Sequence, residues 1–143
     1  MAKVERSITI NAPVEKVFGY IGEPTNLPEI WPSIVEIKDV QPLPSGGHGY
    51  RTEYKMAGMR FESTGEDTEW VANQRIVSKN SNGLEATVTW VFQPEAGGTK
   101  LTFEVEYTVP IPLLSKLAEA FIVKVNEREA ELLLANLKDR LEA

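Results

Sequence analysis

Apolar and polar residues alternate along several short stretches of the chain, as they do in strands that bury one face. In the first stretch, residues 4–10, Val4, Ile8 and Ile10 share one parity. The same alternation predicts strands near residues 35–37 and over residues 50–56, 60–70, 75–79, 84–93 and 101–109. The connections between the later strands are short, and Asn82-Gly83 is typical of a tight hairpin, so the predicted sheet is antiparallel.

Two short helical segments follow the first strand. Val14, Val17, Phe18 and Ile21 recur at helical spacing directly after Pro13, which fits the first turn of a helix. Prolines at positions 24, 28 and 32 then limit any further helix to about one turn, near residues 26–30.

One long helix is predicted over residues 113–141, which contain no proline or glycine and are rich in strong helix formers. At 1.5 Å per residue it would be roughly 40 Å long, enough to cross the whole sheet. Its predicted apolar stripe comprises Leu114, Leu117, Ala118, Phe121, Val125, Leu132 and Ala135. We expect Phe121 and Val125 to pack on the sheet face that bears Trp90 and Phe103, because the apolar face needs a cover.

Length and composition indicate one ordinary globular domain spanning residues 1–143. Apolar residues make up 42% of the chain and charged residues 25%, and the net charge is -6. Without a Lys/Arg-rich stretch, nucleic acid is not an expected partner. No signal-peptide core and no apolar run of membrane-spanning length occurs, so we expect a cytoplasmic protein without a transmembrane segment.

Few residues offer catalytic or metal-binding chemistry. The chain contains no cysteine, which excludes disulfides and thiolate chemistry. His48 is the one histidine and lies between glycines. A base at a pocket mouth is conceivable there, but a solvated loop side chain is the commoner role. With one histidine, no cysteine and no carboxylate spacing that suggests a site, we expect no metal. No nucleotide-binding motif is present, and we expect no cofactor.

Two local segments stand out beside this order of elements: residues 7–18, SITINAPVEKVF, and residues 27–35, LPEIWPSIV. Together with the order of elements they resemble the START-like superfamily, which includes polyketide cyclases and lipid-transport domains. The resemblance covers essentially the whole chain and implies an α+β helix-grip fold. In that fold a curved antiparallel sheet of about seven strands wraps around the C-terminal helix and leaves a cavity. It does not fix the function, because one scaffold hosts many.

Small residues give that cavity independent support. Ser63, Gly65 and Ala86 lie on strands expected beneath the long helix, where a filled core would prefer Leu or Ile. The alternative is that Gly65 marks a β-bulge and Ser63 is exposed.

The candidate ligand-binding residues are mainly aromatic, with small and polar residues among them. They are Trp31, Tyr54, Phe61, Ser63, Ala86, Trp90, Phe103, Tyr107, Phe121, Val125 and Arg128. Each aromatic residue could equally be ordinary core. Arg128 could hold a ligand carboxylate or pair with Asp67, or its stem could cover the sheet edge while its head reaches water.

The leading functional hypothesis is binding or carrying of a small apolar or amphipathic molecule without chemistry. One alternative is an enzyme of the polyketide cyclase/dehydratase type, and another is a protein-interaction module of the chaperone-activator kind. No acid/base pair is recognisable, so the sequence favours binding without settling whether a reaction is catalysed. It identifies neither the ligand nor the oligomeric state.

Overall fold

The fold is one curved antiparallel sheet with a long helix across it. The computed structural model describes residues 2–56, 58–83, 85–108 and 116–142. The seven strands are β1 (Ala2–Ile10), β2 (Ile34–Pro42), β3 (His48–Met56), β4 (Met59–Val71), β5 (Arg75–Ser81), β6 (Ala86–Glu95) and β7 (Gly98–Tyr107). The helices are α1 (Val14–Gly22), a 3₁₀ turn (Pro24–Asn26), α2 (Leu27–Ile30) and α3 (Lys116–Glu142). The predicted α+β class, strand number and element order are confirmed.

The sheet order is β1-β7-β6-β5-β4-β3-β2, and every neighbouring pair is antiparallel. Consecutive strands β2 to β7 therefore form a meander, and β1 adds an edge strand by pairing with β7. The strong alternation of β7 places its apolar side chains inward and its glutamates outward. Trp90 and Phe103, which lie opposite each other on β6 and β7, are 2% and 1% exposed, as predicted.

Turn residues separate the strands as the sequence indicated. Asn82 and Gly83 both have positive φ, 60° and 153°, between β5 and β6. A Cβ on Gly83 would lie 1.7 Å from the Glu62 carbonyl oxygen, so only glycine fits there. The predicted strand ends at Leu84 and Val109 lie outside the described residues, as do the first residues of the predicted helix.

The short helices close one end of the sheet. Phe18 of α1 packs edge-on against Trp70 and Phe92, with ring centroids 4.9 and 5.1 Å apart. After α2, the Trp31 backbone N–H caps the helix by donating to the Leu27 carbonyl at 2.9 Å. The Asn136 amide of α3 donates to the Ile30 carbonyl at 3.2 Å. These contacts tie the segment between β1 and β2 to both the sheet and α3.

The predicted apolar stripe of α3 is wrong in its phase. Val125 is 44% exposed and Leu132 is 50% exposed, and Ala135 is exposed as well. The face that is buried instead contains Ile122, Ala130, Leu133, Leu134, Leu137 and Leu141. The side chains of Leu117, Ala118 and Phe121 lie outside the described part of the structure.

The error has a simple physical origin. Residues 132–134 are three consecutive leucines, and a helix that crosses a sheet cannot bury all three. If the apolar stripe is extended from the N-terminal half of the helix, it includes Leu132. Leu137 and Leu141 lie on a different face, which they share with Leu133 and Leu134. The C-terminal run determines the packing.

Two leucine truncations on α3 test this phase. We expect Leu137→Ala, at a position that is 0% exposed, to lower the free energy of unfolding by about 2–5 kcal/mol. Leu132→Ala, the matched control on the exposed face, should change it by less than about 1 kcal/mol. Urea unfolding followed by circular dichroism measures both values. A larger loss for Leu132→Ala would mean that the helix packs in the phase that the sequence pattern predicts.

Candidate functional site

A narrow cleft lies between α3 and the concave face of the sheet. Its lining residues are Trp31, Ser33, Tyr54, Ala86, Phe103, Val105, Tyr107, Asn126, Glu129, Ala130 and Leu133. We call it the outer cavity. The whole cleft encloses about 450 Å³ including its open mouth, but the cavity proper is about 30 Å³. That is room for about one or two water molecules, so a larger occupant must displace side chains.

Both walls of the outer cavity are mostly apolar, because an apolar face of the sheet lies opposite the apolar face of α3. Phe103 and Val105 of β7 are two residues apart and point to the same side, with Ala86 beside them on β6. Ala130 and Leu133 of α3 are three apart on the buried helix face. Small side chains at 86 and 130 leave the gap that a leucine would close.

Trp31 is the central side chain of the site. Its ring meets Phe103, Tyr54 and Trp90 edge-on, with centroids 5.3, 6.2 and 6.5 Å away. Its indole N–H donates to the Glu129 carboxylate of α3 at 2.8 Å. One residue therefore joins the sheet core to the covering helix.

The polar groups of the outer cavity are concentrated on one stripe of α3. Glu129 accepts hydrogen bonds from both Trp31 and the Ser33 hydroxyl. Asn126, three residues earlier on the same face, donates from its amide to the Tyr107 hydroxyl at 2.7 Å. The site thus combines apolar walls with a few fixed polar groups, which is typical of small-molecule pockets.

A second, deeper space lies under β2 and α2, and we call it the inner cavity. It is about 20 Å³, within about 290 Å³ of surrounding free space. Its lining residues are Leu27, Trp31, Ile34, Ile37, Tyr50, Thr52, Tyr54, Ser78, Asn80, Val88 and Trp90. Trp31 and Tyr54 line both cavities, so this edge-to-face pair separates them.

The sheet face beneath the inner cavity is polar although it is buried. Thr52, Ser63, Asp67, Ser78 and Asn80 on β3, β4 and β5 are 2–6% exposed. The Ser78 hydroxyl donates to the Asp67 carboxylate at 2.6 Å, and Ser63 donates to the Asn80 side-chain oxygen at 3.5 Å. These mutual hydrogen bonds offset much of the cost of burying polar groups.

Burial changes the ionisation of this region. Desolvation, reinforced by the Asp67 charge, raises the pKa of Tyr50 to about 12, and desolvation also raises the pKa of Tyr54. Both phenols therefore stay protonated at neutral pH. Desolvation raises the pKa of Asp67, while hydrogen bonds from Ser78 and the His48 backbone oppose that rise.

His48 does not occupy the solvated loop position that the sequence predicts. It begins β3, its ring packs on Trp70 with centroids 5.8 Å apart, and its side chain is 23% exposed. Its Nδ1 lies 3.8 Å from an Asp67 carboxylate oxygen. Gly47 lies against Asp67 as well, where a Cβ would come within 2.5 Å of the aspartate Cβ. The glycines around His48 therefore allow the hairpin to fold onto β4.

The structure brings six of the predicted site residues to the two cavities. Trp31, Tyr54, Ala86, Phe103 and Tyr107 line the outer cavity, and Trp90 lines the inner one.

Four of the remaining candidates, all of them described, do not line either cavity. Val125 and Arg128 are exposed on α3, because the helix phase differs from the predicted one. Asp67 pairs with Ser78 and His48, not with Arg128. Phe61 is half-buried on β4, and Ser63 is hydrogen-bonded to Asn80. The side chain of Phe121 lies outside the described residues.

Gly65 also has a different role from either interpretation offered by the sequence. A Cβ at this position would lie 2.6 Å from the Asn80 side-chain oxygen and 2.8 Å from the Tyr50 ring. The missing side chain makes room for these two neighbours and not for a ligand. The register shift of β4 against β5 lies between Asp67 and Glu69, so Gly65 is not itself the bulge.

Several lining residues were missed from the sequence. On α3 they are Asn126, Glu129, Ala130 and Leu133, which recur at helical spacing. That spacing was visible, but it marks the site only once the correct helix phase is known. Ser33 and Val105 were also missed.

Other site types find no support in the part of the chain that is described. Among those residues, no group of three or more His, Cys, Asp or Glu side chains could hold a metal ion. No described helix is long and apolar enough to cross a membrane.

Solved structures share this fold. The protein TTHA0849 from Thermus thermophilus matches with a TM-score of 0.75 and 24% identity, over 98% of this chain and 97% of its own. A START superfamily protein from Mycobacterium smegmatis matches with a TM-score of 0.80 and 16% identity, over 98% and 97%. The Zhui aromatase/cyclase from Streptomyces sp. R1128 matches with a TM-score of 0.80 and 16% identity, over 99% and 93%. At these identities the similarity establishes the fold alone.

The sequence itself gives the family assignment. No curated protein matches the chain significantly. Residues 1–142, however, match the family described as polyketide cyclase / dehydrase and lipid transport. With the helix-grip fold and the cleft between sheet and helix, this whole-length match shows that the chain belongs to the polyketide cyclase / dehydrase and lipid transport family, as its resemblance to START-like proteins implied.

Proposed function

We propose that the protein binds or carries a small, largely apolar molecule in the outer cavity without transforming it. The observation that carries the proposal is the cleft itself. It has apolar walls from β6, β7 and α3, an open mouth, and polar groups confined to the Asn126–Glu129 stripe and its partners. The cavity proper is about 30 Å³, so a bound molecule would enter through the open mouth by displacing lining side chains.

The ionisation of the site favours binding over catalysis. A cyclase needs a group that removes a proton from its substrate. Tyr50 and Tyr54 are protonated at neutral pH like any phenol, and burial raises both pKa values further, so neither supplies a base. The Glu129 carboxylate already accepts two hydrogen bonds, from Trp31 and Ser33, which suits it to positioning these side chains.

The enzymatic alternative still has a specific observation behind it. Aromatase/cyclases are among the proteins that share this fold, and Glu129 is a carboxylate that lines the cavity. If a reaction takes place, Glu129 is the residue of the outer cavity that would take the proton.

A cavity-filling substitution tests the site. We expect Ala86→Leu to weaken binding of the neutral dye Nile red at least about tenfold, because the larger side chain occupies the cleft. Its effect on the free energy of unfolding should stay below the roughly 1–3 kcal/mol that overpacking of a filled core costs. Fluorescence titration and thermal melts give the two quantities.

Ala135→Leu is the matched control, since Ala135 is exposed on α3 and does not line the cleft. It should leave dye binding unchanged. Full-strength binding by Ala86→Leu together with a clear drop in stability would place the site elsewhere.

A second experiment separates carrier from enzyme. Small molecules that copurify with the protein are identified by mass spectrometry under native conditions and followed during prolonged incubation. A carrier returns them unchanged in the wild type and in Glu129→Gln, which should alter only their affinity. Turnover by the wild type that is lost in Glu129→Gln but kept in Arg128→Gln, the exposed neighbour, would establish the enzymatic alternative instead.

A further inference from the structure

The inner cavity contains a buried hydroxyl that no described protein group satisfies. Thr52 is 2% exposed, and its Oγ1 has no hydrogen-bond partner among the described residues. Its cross-strand neighbours are Ile37 on β2 and Ser63 on β4. Ile37 offers no polar side chain, and the Ser63 hydroxyl donates to Asn80. A buried hydroxyl left in this state costs free energy, which a ligand oxygen would recover.

Tyr50 supplies a complementary acceptor beside Thr52. The Tyr50 hydroxyl interacts with Ser78, whose own proton goes to Asp67 at 2.6 Å. A phenolic hydroxyl has one proton and two lone pairs, so beside Ser78 the Tyr50 oxygen can still accept a hydrogen bond. The inner cavity therefore offers one free donor, Thr52, and one free acceptor, Tyr50, both of which line it.

The charges around both cavities select an uncharged group. Neither cavity is lined by a described Lys, Arg or His. The carboxylates nearby are Glu129 in the outer cavity and Asp67 behind Ser78. An anionic ligand end would meet these negative charges without a cation to pair with, and burying an unpaired ion is strongly unfavourable.

We propose that the inner cavity is the subsite for an uncharged hydroxyl or carbonyl oxygen at the leading end of the bound molecule. The apolar body of that molecule lies in the outer cavity, so this inference rests on the ligand-binding function proposed above. The Trp31–Tyr54 pair separates the two spaces. The ligand would join them by displacing these rings. The class of ligand is thus a neutral alcohol or ketone with an apolar body, and not a fatty acid.

Three probes with the same ring and methyl group test the subsite: toluene, p-cresol and p-toluate. Binding is followed by NMR titration of the Trp31 indole N–H resonance, since this group lies at the junction of the cavities. We expect Thr52→Val, which keeps the side-chain shape, to weaken p-cresol binding roughly three- to tenfold. Toluene should bind Thr52→Val as it binds the wild type, and p-toluate should bind the wild type at least about tenfold more weakly than p-cresol.

Two further variants serve as controls. Thr52→Ser keeps the hydroxyl and should bind p-cresol with an affinity close to that of the wild type. Thr64→Val removes an exposed threonine of the neighbouring strand and should change the affinity of none of the three probes.

The two proposals fail in different ways. Toluene binding with equal p-cresol affinity in the wild type and Thr52→Val would overturn the inner subsite while leaving the outer cavity as a ligand site. Tighter binding of p-toluate than of p-cresol would overturn the selection for a neutral group. Failure of all three probes to bind the wild type would count against the ligand-binding function itself.

Discussion

The site depends on the ring contacts and the hydrogen bond that hold Trp31 in place. Its ring is held by Tyr54, Trp90 and Phe103, and its N–H is held by Glu129 on α3. Edge-to-face aromatic contacts are each worth about 0.5–1.5 kcal/mol beyond area burial, and a hydrogen bond to a carboxylate about 1.5–3 kcal/mol. These contacts fix the distance between helix and sheet, and so determine the width of the outer cavity. They also close off the inner cavity, because the same ring forms part of both linings.

The concave face of the sheet is divided into two chemically different halves. Strands β6 and β7 present Val88, Trp90, Phe103 and Val105 and make an ordinary apolar core with α3. Strands β3, β4 and β5 instead present the buried polar groups from Thr52 to Asn80. A sheet designed only for stability would carry apolar residues in both halves, since a buried polar group gains little even when it is paired. The polar half is therefore where the structure departs from the needs of folding, and function is the natural reason.

The sequence predicts the fold well and the site only in part, for a physical reason that particular residues show. Strand patterns have a period of two, so the inward positions of Trp90, Phe103 and Tyr107 follow once one residue is placed. The helix phase is less constrained, because residues 132–134 are all leucine: the sequence pattern predicts burial of Leu132, whereas Leu133 and Leu134 are the buried ones. Because of this difference in phase, the predicted site includes Val125 and Arg128, which are exposed, and omits Asn126 and Glu129, which line the cavity. Gly65 shows a further limit: its close neighbours, Tyr50 and Asn80, come from other strands and are not visible locally.

The polar half also bears on the choice between carrier and enzyme. Its buried tyrosine is held in one ionisation state. Burial keeps the proton on Tyr50, whose pKa is raised to about 12. Asp67 accepts hydrogen bonds from Ser78 and the His48 backbone, and these bonds hold its oxygens in place. A catalytic acid or base must exchange its proton during each turnover, and its pKa is best matched to the working pH. Fixed donors and acceptors are instead what recognition of a neutral oxygen requires, since they need not reorganise when the ligand enters. The chemistry of the inner cavity therefore agrees with that of the outer one, and both favour a binding protein.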